Sequence, residues 1–474
     1  MKTRNKCFSF VIYGLPLALL LSLLLSLLLP YSLNVYASGA PTLKFGSFKD
    51  NNQFSDPDEQ LAGEAVGDFQ LGNALFRKLW SIGSSSVKSA DGVGPLFNSR
   101  SCQRCHLKDG RGNPPADEHS FSPSLVFQLK ATSEGNETTD INYGKQIQPF
   151  AANGLHGEAN IFVSYATEEF HYADGQSITL NRPSYRIEDL AYGELGDNSI
   201  LAPRVAPAMI GLGLLEAIPA DTIKANADPD DNNGDGISGR ANFGYSLEHQ
   251  KTMLGRFGWK ASAPTVIDQS AAAFSADMGL STSLIGLNYG DCTEQQKDCR
   301  RVARIHSLDE TEPEVSRDML ELVAHYSKNL SVPAPRNQTN LEFINGQKIF
   351  DQLNCQQCHT PQHTTDNSNT TEPHLRNRVV NAYTDLLLHD MGPDLADSQR
   401  QGFALANEWR TTPLWGIGLT QTVNPLARFL HDGRAASIEE AIVWHGGEAE
   451  DSKVAFTQLS QHQRESLLFF LKSL

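Results

Sequence analysis

At 474 residues, with 40% hydrophobic and 20% charged content, the chain is too long for one ordinary core and has the composition of a globular protein of two or three domains. A formal net charge of −16 argues against nucleic acid or an anionic membrane as partner and favours solubility.

The N-terminus differs from the rest. Lys2, Arg4 and Lys6 precede an almost unbroken apolar run from Phe8 to Leu29, and Val35-Tyr36-Ala37 offers a small-x-Ala cleavage site. This is the pattern of a secretory signal peptide over residues 1–37, although the run is long enough to serve as an uncleaved anchor. Cleavage takes the formal charge from −16 to −19, since the segment holds three bases and no acid. It would leave no stable membrane insertion and place the protein in the periplasm or outside the cell.

Residues 38–330 are expected to form an N-terminal domain. After a polar, extended start, apolar positions at Gly67, Leu71, Leu75, Phe76, Leu79 and Trp80 recur at helical spacing, and Ser84 to Asn98 reads as loop. The loop leads to Cys102-Gln103-Arg104-Cys105-His106, a Cys-x-x-Cys-His pentad. In an exported chain this is the pattern of c-type haem attachment, in which two thiols take the porphyrin and the adjoining imidazole takes the iron. A four-thiolate zinc site or a redox dithiol would not ask for the histidine. Between Ser124 and Pro183 the texture changes, and Val126, Phe127, Leu129, Ile161, Val163, Tyr165, Ile178 and Leu180 suggest a β-rich insertion.

The acidic stretch Asp228 to Arg240 reads as a calcium-type loop. Asp231, Asn233 and Asp235 alternate as oxygen ligands before Gly236, but Asn242 stands where an EF-hand needs a bidentate Glu, and an Asx-rich surface turn would look similar. Of seven cysteines, Cys7 leaves with the signal and four belong to pentads, so Cys292 and Cys299 are expected to form a structural disulfide. Closing so short a loop contributes ~2–3 kcal/mol in the chain-entropy account.

Residues 331–340, starting Ser331-Val332-Pro333-Ala334-Pro335, read as linker, and 341–474 as a small cytochrome c domain. Phe343, Ile344, Ile349 and Phe350 build a helix into the second pentad, Cys355-Gln356-Gln357-Cys358-His359, and Leu467, Leu468, Phe470 and Leu471 mark a terminal helix. The expected architecture is therefore mainly α, with two cytochrome c-type haem domains, the first enlarged by a β-containing insertion. Two covalent haems are the expected cofactors, with calcium as a further candidate. For the sixth position at the second iron the candidates are His363, His374, His389, Met391, His431 and His445. His445 is preferred, because a short helix capped by Ser437 ends there before two glycines. For the first iron His119, His156, His171 and Met209 stand without distinctive context, and His156, Glu158 and Glu216 are candidate proton carriers.

Three groups of residues resemble the di-haem oxidoreductases of peroxidase type, often labelled thiol oxidoreductases, which are distantly similar to bacterial di-haem cytochrome c peroxidases and to the di-haem enzyme that matures methylamine dehydrogenase. They are Gly92 to Asn98 with Asp109-Gly110-Arg111-Gly112; Asp235 to Arg240 with Gly255 to Lys260; and Tyr383 to Gly392 with Trp409 to Gly416 and Phe429 to Arg434. The resemblance implies an oxidoreductase passing electrons between two haems, fed by a small redox protein or a quinol-linked donor, with hydrogen peroxide as substrate. It also places His445 where the peroxidases carry a distal Met on the electron-transfer haem. No counterpart of their first-domain Gln and Glu loop is found. The rival reading is a non-catalytic di-haem electron carrier, with a link to iron acquisition.

Overall fold

The computed structural model describes residues 52–82, 92–133, 136–152, 154–306, 312–397 and 400–474. The signal-peptide segment and most of the Ser84–Asn98 loop lie outside the described residues. Helix accounts for 30% and strand for 19%, spread over many small sheets. The protein is thus not mainly α, and that expectation is corrected.

The longer helices are α1 (Glu64–Arg77), α2 (Val266–Met278), α3 (Lys297–His306), α4 (Arg317–Lys328), α5 (Leu341–Gln352) and α6 (Gln461–Ser473). Among the strands, β1 (Leu125–Ser133) pairs antiparallel with β2 (Gln146–Ile147) and with β5 (Ile200–Val205), in register from Leu125↔Val205 to Lys130↔Ile200. β3 (Asn160–His171) and β4 (Ser177–Glu188) make a separate twelve-residue hairpin. The remaining ladders are two to four residues long, such as His363–Thr364 with Val379–Val380 and Leu388–Asp390 with Glu408–Arg410. Pieces this short show no alternation in sequence, which is why they read as loop.

α1 forms where the helical spacing predicts it, but the buried face is Phe69, Gly72 and Phe76, while Leu71 is 56% exposed and Leu79 55%. The apolar stripe is rotated because α1 packs on α4 through a close approach at Gly72, where a Cβ would lie 2.7 Å from that of Tyr326. Phe69 and Phe76 then meet the Tyr326 ring at 4.8 and 5.2 Å. α5 and α6 pack in the same way. Phe343 and Phe350 sit 5.1 and 5.5 Å from Phe470, over Gly346.

The apolar interior runs across the linker. The largest cluster joins Phe54, Phe76, Trp80 and Phe274 to Leu387, Trp415 and Val423. A second cluster joins Phe343, Phe350, Phe456 and Phe470 to Tyr172 and Leu180 from the hairpin. Cys292 and Cys299 are bonded, 6.1 Å apart at Cα, with Cys299 on α3.

Gly346→Ala would drive a methyl into the Ser466 carbonyl and to 2.6 Å from the Phe470 Cβ. Overpacking of this kind costs ~1–3 kcal/mol. A correspondingly lower urea midpoint is expected, measured by circular dichroism.

Candidate functional site

A single cavity of about 730 Å³ runs through the middle of the protein and is lined by residues of both pentads. Cys102, Cys105, Cys355 and Cys358 all border it, are only partly covered, and form no disulfide. Burial pushes the Cys102 and Cys355 thiols up to about 12, so both are uncharged.

The two pentad histidines are held alike. His106 Nδ1 lies 2.8 Å from the Pro207 carbonyl, and His359 Nδ1 lies 3.0 Å from the Tyr383 carbonyl. A carbonyl accepts only, so the proton is on Nδ1 and Nε2 keeps its lone pair. Burial lowers both imidazoles to about 4, the nearby His445 adding to the effect at His359. Both are neutral near pH 7, the form that binds a metal. The surrounding chain bends sharply to achieve this. Lys108 and Asp109 have positive φ of 52° and 62°, and Tyr383 has 50°. Asp109 is fixed there by Ser55 Oγ at 2.5 Å and Tyr326 Oη at 2.8 Å, both donating to its carboxylate.

His445 also lines the cavity, and its Nδ1 lies 2.8 Å from the Ala441 carbonyl, leaving a third Nε2 lone pair. It follows the helix Ile438–Val443, which Ser437 caps by accepting from Glu440 N at 3.0 Å. The β3–β4 hairpin secures that helix. Asn181 donates to Glu440 from N at 2.6 Å and from Nδ2 at 3.0 Å, and Tyr172 donates to Glu439 at 3.0 Å.

The other candidates separate clearly. His431 borders the cavity and stacks on Trp409 at 3.7 Å, and Met391 and Met209 also border it. His389 is clamped between Asp385 at 2.8 Å and Glu448 at 2.6 Å, with Cys358 Sγ 3.6 Å away. Burial opposes its charge, but the two carboxylates outweigh burial and hold its pKa well above the usual imidazole range. His363 and His374 are bonded to Thr384 O and Asn329 Oδ1, each at 2.6 Å, away from the cavity. His119 and His171 are exposed beside Glu118 and Glu169. His156, Glu158 and Glu216 do not border the cavity. Glu158 accepts from Gln148 N and Gln296 Nε2, each at 2.6 Å, and Glu216 pairs with Lys328 at 2.6 Å. Asp231, Asn233 and Asp235 point their oxygens at backbone N–H groups of their own loop, and no three His, Cys, Asp or Glu among the described residues are grouped to hold a metal ion.

Two features of the wall fit a flat, anionic, metal-bearing group. Helix α2 lines the cavity with three alanines, Ala272, Ala273 and Ala276, beside the larger Gln269, Phe274 and Met278, so part of that wall is flat. Arg111 and Arg410 border the cavity with no carboxylate in ion-pair contact among the described residues; Arg111 donates to the Arg428 and Leu430 carbonyls, and Arg410 to the Gly258 carbonyl at 2.9 Å. Burial lowers each guanidinium to about 10, against the opposing charges of Asp432 at Arg111 and Asp385 at Arg410. Buried cations whose counterions stand off can take an anionic group from the cavity as a closer partner. Sequence reasoning quoted both arginines only as parts of longer motifs, and their burial is visible only in the fold.

The family described as "Di-haem oxidoreductase, putative peroxidase" matches residues 32–122 and 145–474. The chain belongs to this family. It is therefore a haem oxidoreductase. Among solved structures, a chain of Kuenenia stuttgartiensis hydrazine synthase, pressurised with 20 bar xenon, is similar at 14% identity and TM-score 0.33, over 92% of this chain and 97% of that one. No curated protein matches.

Ser437→Ala removes the cap of the helix that carries His445. It is expected to cost about 1 kcal/mol, read as a lower urea midpoint at unchanged slope.

Proposed function

We propose that the protein is an exported di-haem c-type oxidoreductase of peroxidase type. Electrons from a small redox protein or a quinol-linked donor would enter at the second pentad and reach the first, where hydrogen peroxide is the substrate. The observation that carries this reading is the single cavity shared by both pentads, with a neutral imidazole, His445, beside His359.

Each haem, when bound, supplies a one-electron iron couple whose potential its axial ligands tune. Cys102 with Cys105, and Cys355 with Cys358, would hold the two porphyrins as thioethers. His106 and His359 would ligate through Nε2, their Nδ1–H groups fixed by the Pro207 and Tyr383 carbonyls in the manner that sharpens metal-ligand orientation. Arg111 and Arg410 would take porphyrin carboxylates as charge-assisted partners. His445, whose Nε2 is free of its Nδ1 bond to the Ala441 carbonyl, would help to hold the second haem and, as an imidazole in place of a methionine, would lower its potential. Trp259, Trp409 and His431 border the cavity that both pentads share.

Export is supported by the leader-like residues 1–37 and by the Cys292–Cys299 disulfide, a bond that persists in oxidising compartments. Among the described residues no helix is long and apolar enough to cross a membrane. Calcium at Asp231, Asn233 and Asp235 would bind weakly, in the extracellular range, because those oxygens already accept from their own loop.

The purified protein is expected to carry two haems per chain that survive acid extraction, counted as pyridine haemochromes. The Cys355→Ala, Cys358→Ala double variant should retain one. EPR should show one low-spin haem that becomes high-spin in His445→Ala, and one haem open to exogenous ligands in the wild type. Only low-spin haem in every redox state would sink the enzyme reading and leave an electron carrier.

A further inference from the structure

Asp277 lies in the last turn of α2 and borders the cavity beside the first pentad. Gln146 Nε2 donates to its Oδ1 at 2.7 Å, and the same nitrogen donates to Asn98 Oδ1 at 2.8 Å. Asn98 Nδ2 is occupied by the Ile147 carbonyl at 2.8 Å, which fixes the direction of the whole chain of amides. Both protons of the Gln146 amide are thereby committed, and Asp277 receives one of them. Among the described residues no cation pairs with this carboxyl.

The other acids that border the cavity are bound up in structure. Asp268 accepts from Thr265 Oγ1 at 2.6 Å and from Leu247 N and Glu248 N at the start of α2. Glu448 pairs with His389 at 2.6 Å. Asp277 also sits at the negative end of its helix, where the dipole disfavours a second negative charge. Burial pushes its carboxyl up to about 6, against the pull of the Gln146 hydrogen bond. Cys102 and Cys105 face it, and its charge helps to keep their thiols protonated until they carry a porphyrin as thioethers and no longer titrate; the Asp109 carboxylate also acts on Cys102. His106 is held by Pro207 and not by Asp277.

We infer that Asp277 is the proton acceptor coupled to reduction of the first haem site, aimed by Gln146. This rests on the di-haem reading above. With a haem held at His106 to supply a one-electron couple, arrival of an electron from the donor protein would be matched by the Asp277 carboxylate, which would take one proton from solvent and become the carboxylic acid. No net charge is then added to the cavity. A negative charge left beside the pentad would oppose the incoming electron, and protonation removes that opposition.

Spectroelectrochemical titration of the holoprotein between pH 5 and 8 tests this. The potential of the first haem should fall as pH rises above about 6. The slope should approach ~59 mV per pH unit, the one-electron equivalent of a tenfold change in proton concentration. Asp277→Asn should flatten the slope and leave the second haem unchanged. Gln146→Leu, which keeps the acid but removes its donor, should move the sloping region to higher pH. A wild-type slope in Asp277→Asn overturns the inference, as does an unmoved region in Gln146→Leu if Asp277→Asn does not fold. Wild-type protein that contains no haem would instead refute the di-haem reading.

Discussion

Two hydrogen bonds set the orientation on which the site depends: His106 to the Pro207 carbonyl, and His359 to the Tyr383 carbonyl. Each fixes the tautomer and turns Nε2 toward the cavity, so the imidazoles are placed before any cofactor arrives. Neither acceptor lies near its histidine in sequence, since Pro207 is 101 residues on and Tyr383 is 24. The cavity is consequently a product of tertiary structure. Pro207 lies two residues beyond β5, which the long pairing with β1 holds in place, and Tyr383 sits in a left-handed conformation between short ladders. The β structure therefore positions a histidine at each pentad as well as covering the protein.

The electrostatics of the interior follow from the same economy of acids. Lys260 is fully buried and donates to the carbonyls of Leu405, Ala406 and Glu408 at 2.8–3.0 Å, with its ammonium 4.0 Å over the Trp409 ring. Arg204 lies 4.8 Å over the same ring and pairs with Asp397. Arg204 and Lys260 share the Asp397 carboxylate, Lys260 at 3.5 Å, whereas Arg111 and Arg410 are held by backbone carbonyls, with Asp432 and Asp385 acting on them from further off. A carbonyl satisfies a donor without cancelling its charge, so these two arginines keep the capacity to meet an anion.

What the sequence made legible was local chemistry. The pentads, the capped helix before His445 and the helices at both ends of the second half were readable because each is a contiguous pattern of spacing or capping. Family membership was readable for the same reason, since its segments are contiguous. The mainly α expectation failed because ladders of two to four residues carry no period, and because the hairpin's alternation was taken for an appendage. Asp277 and the buried arginines were not legible at all. Their meaning comes from burial and from the lack of a contact ion pair, and those are settled by residues far away in the chain. The stripe of α1 was misread by rotation, because a glycine approach at Gly72 outweighed the leucines.

The two halves of the cavity solve opposite problems. Around His359 the groups that carry charge are already compensated: His389 is clamped by Asp385 and Glu448, and His445 is held neutral by burial. An electron arriving there meets groups with little freedom to change protonation, which suits passage without chemistry. Beside the first pentad the Asp277 carboxyl has no cation partner among the described residues and is held by a single amide, while Asp109 is fixed by two hydroxyls. A site of that kind can exchange a proton when its charge changes, and reduction of a bound oxidant needs protons as well as electrons. The asymmetry arises from which acids were given partners, with the two pentads and their histidine–carbonyl bonds nearly the same. On the di-haem reading, any division of labour between the two pentads would rest on these surrounding hydrogen bonds.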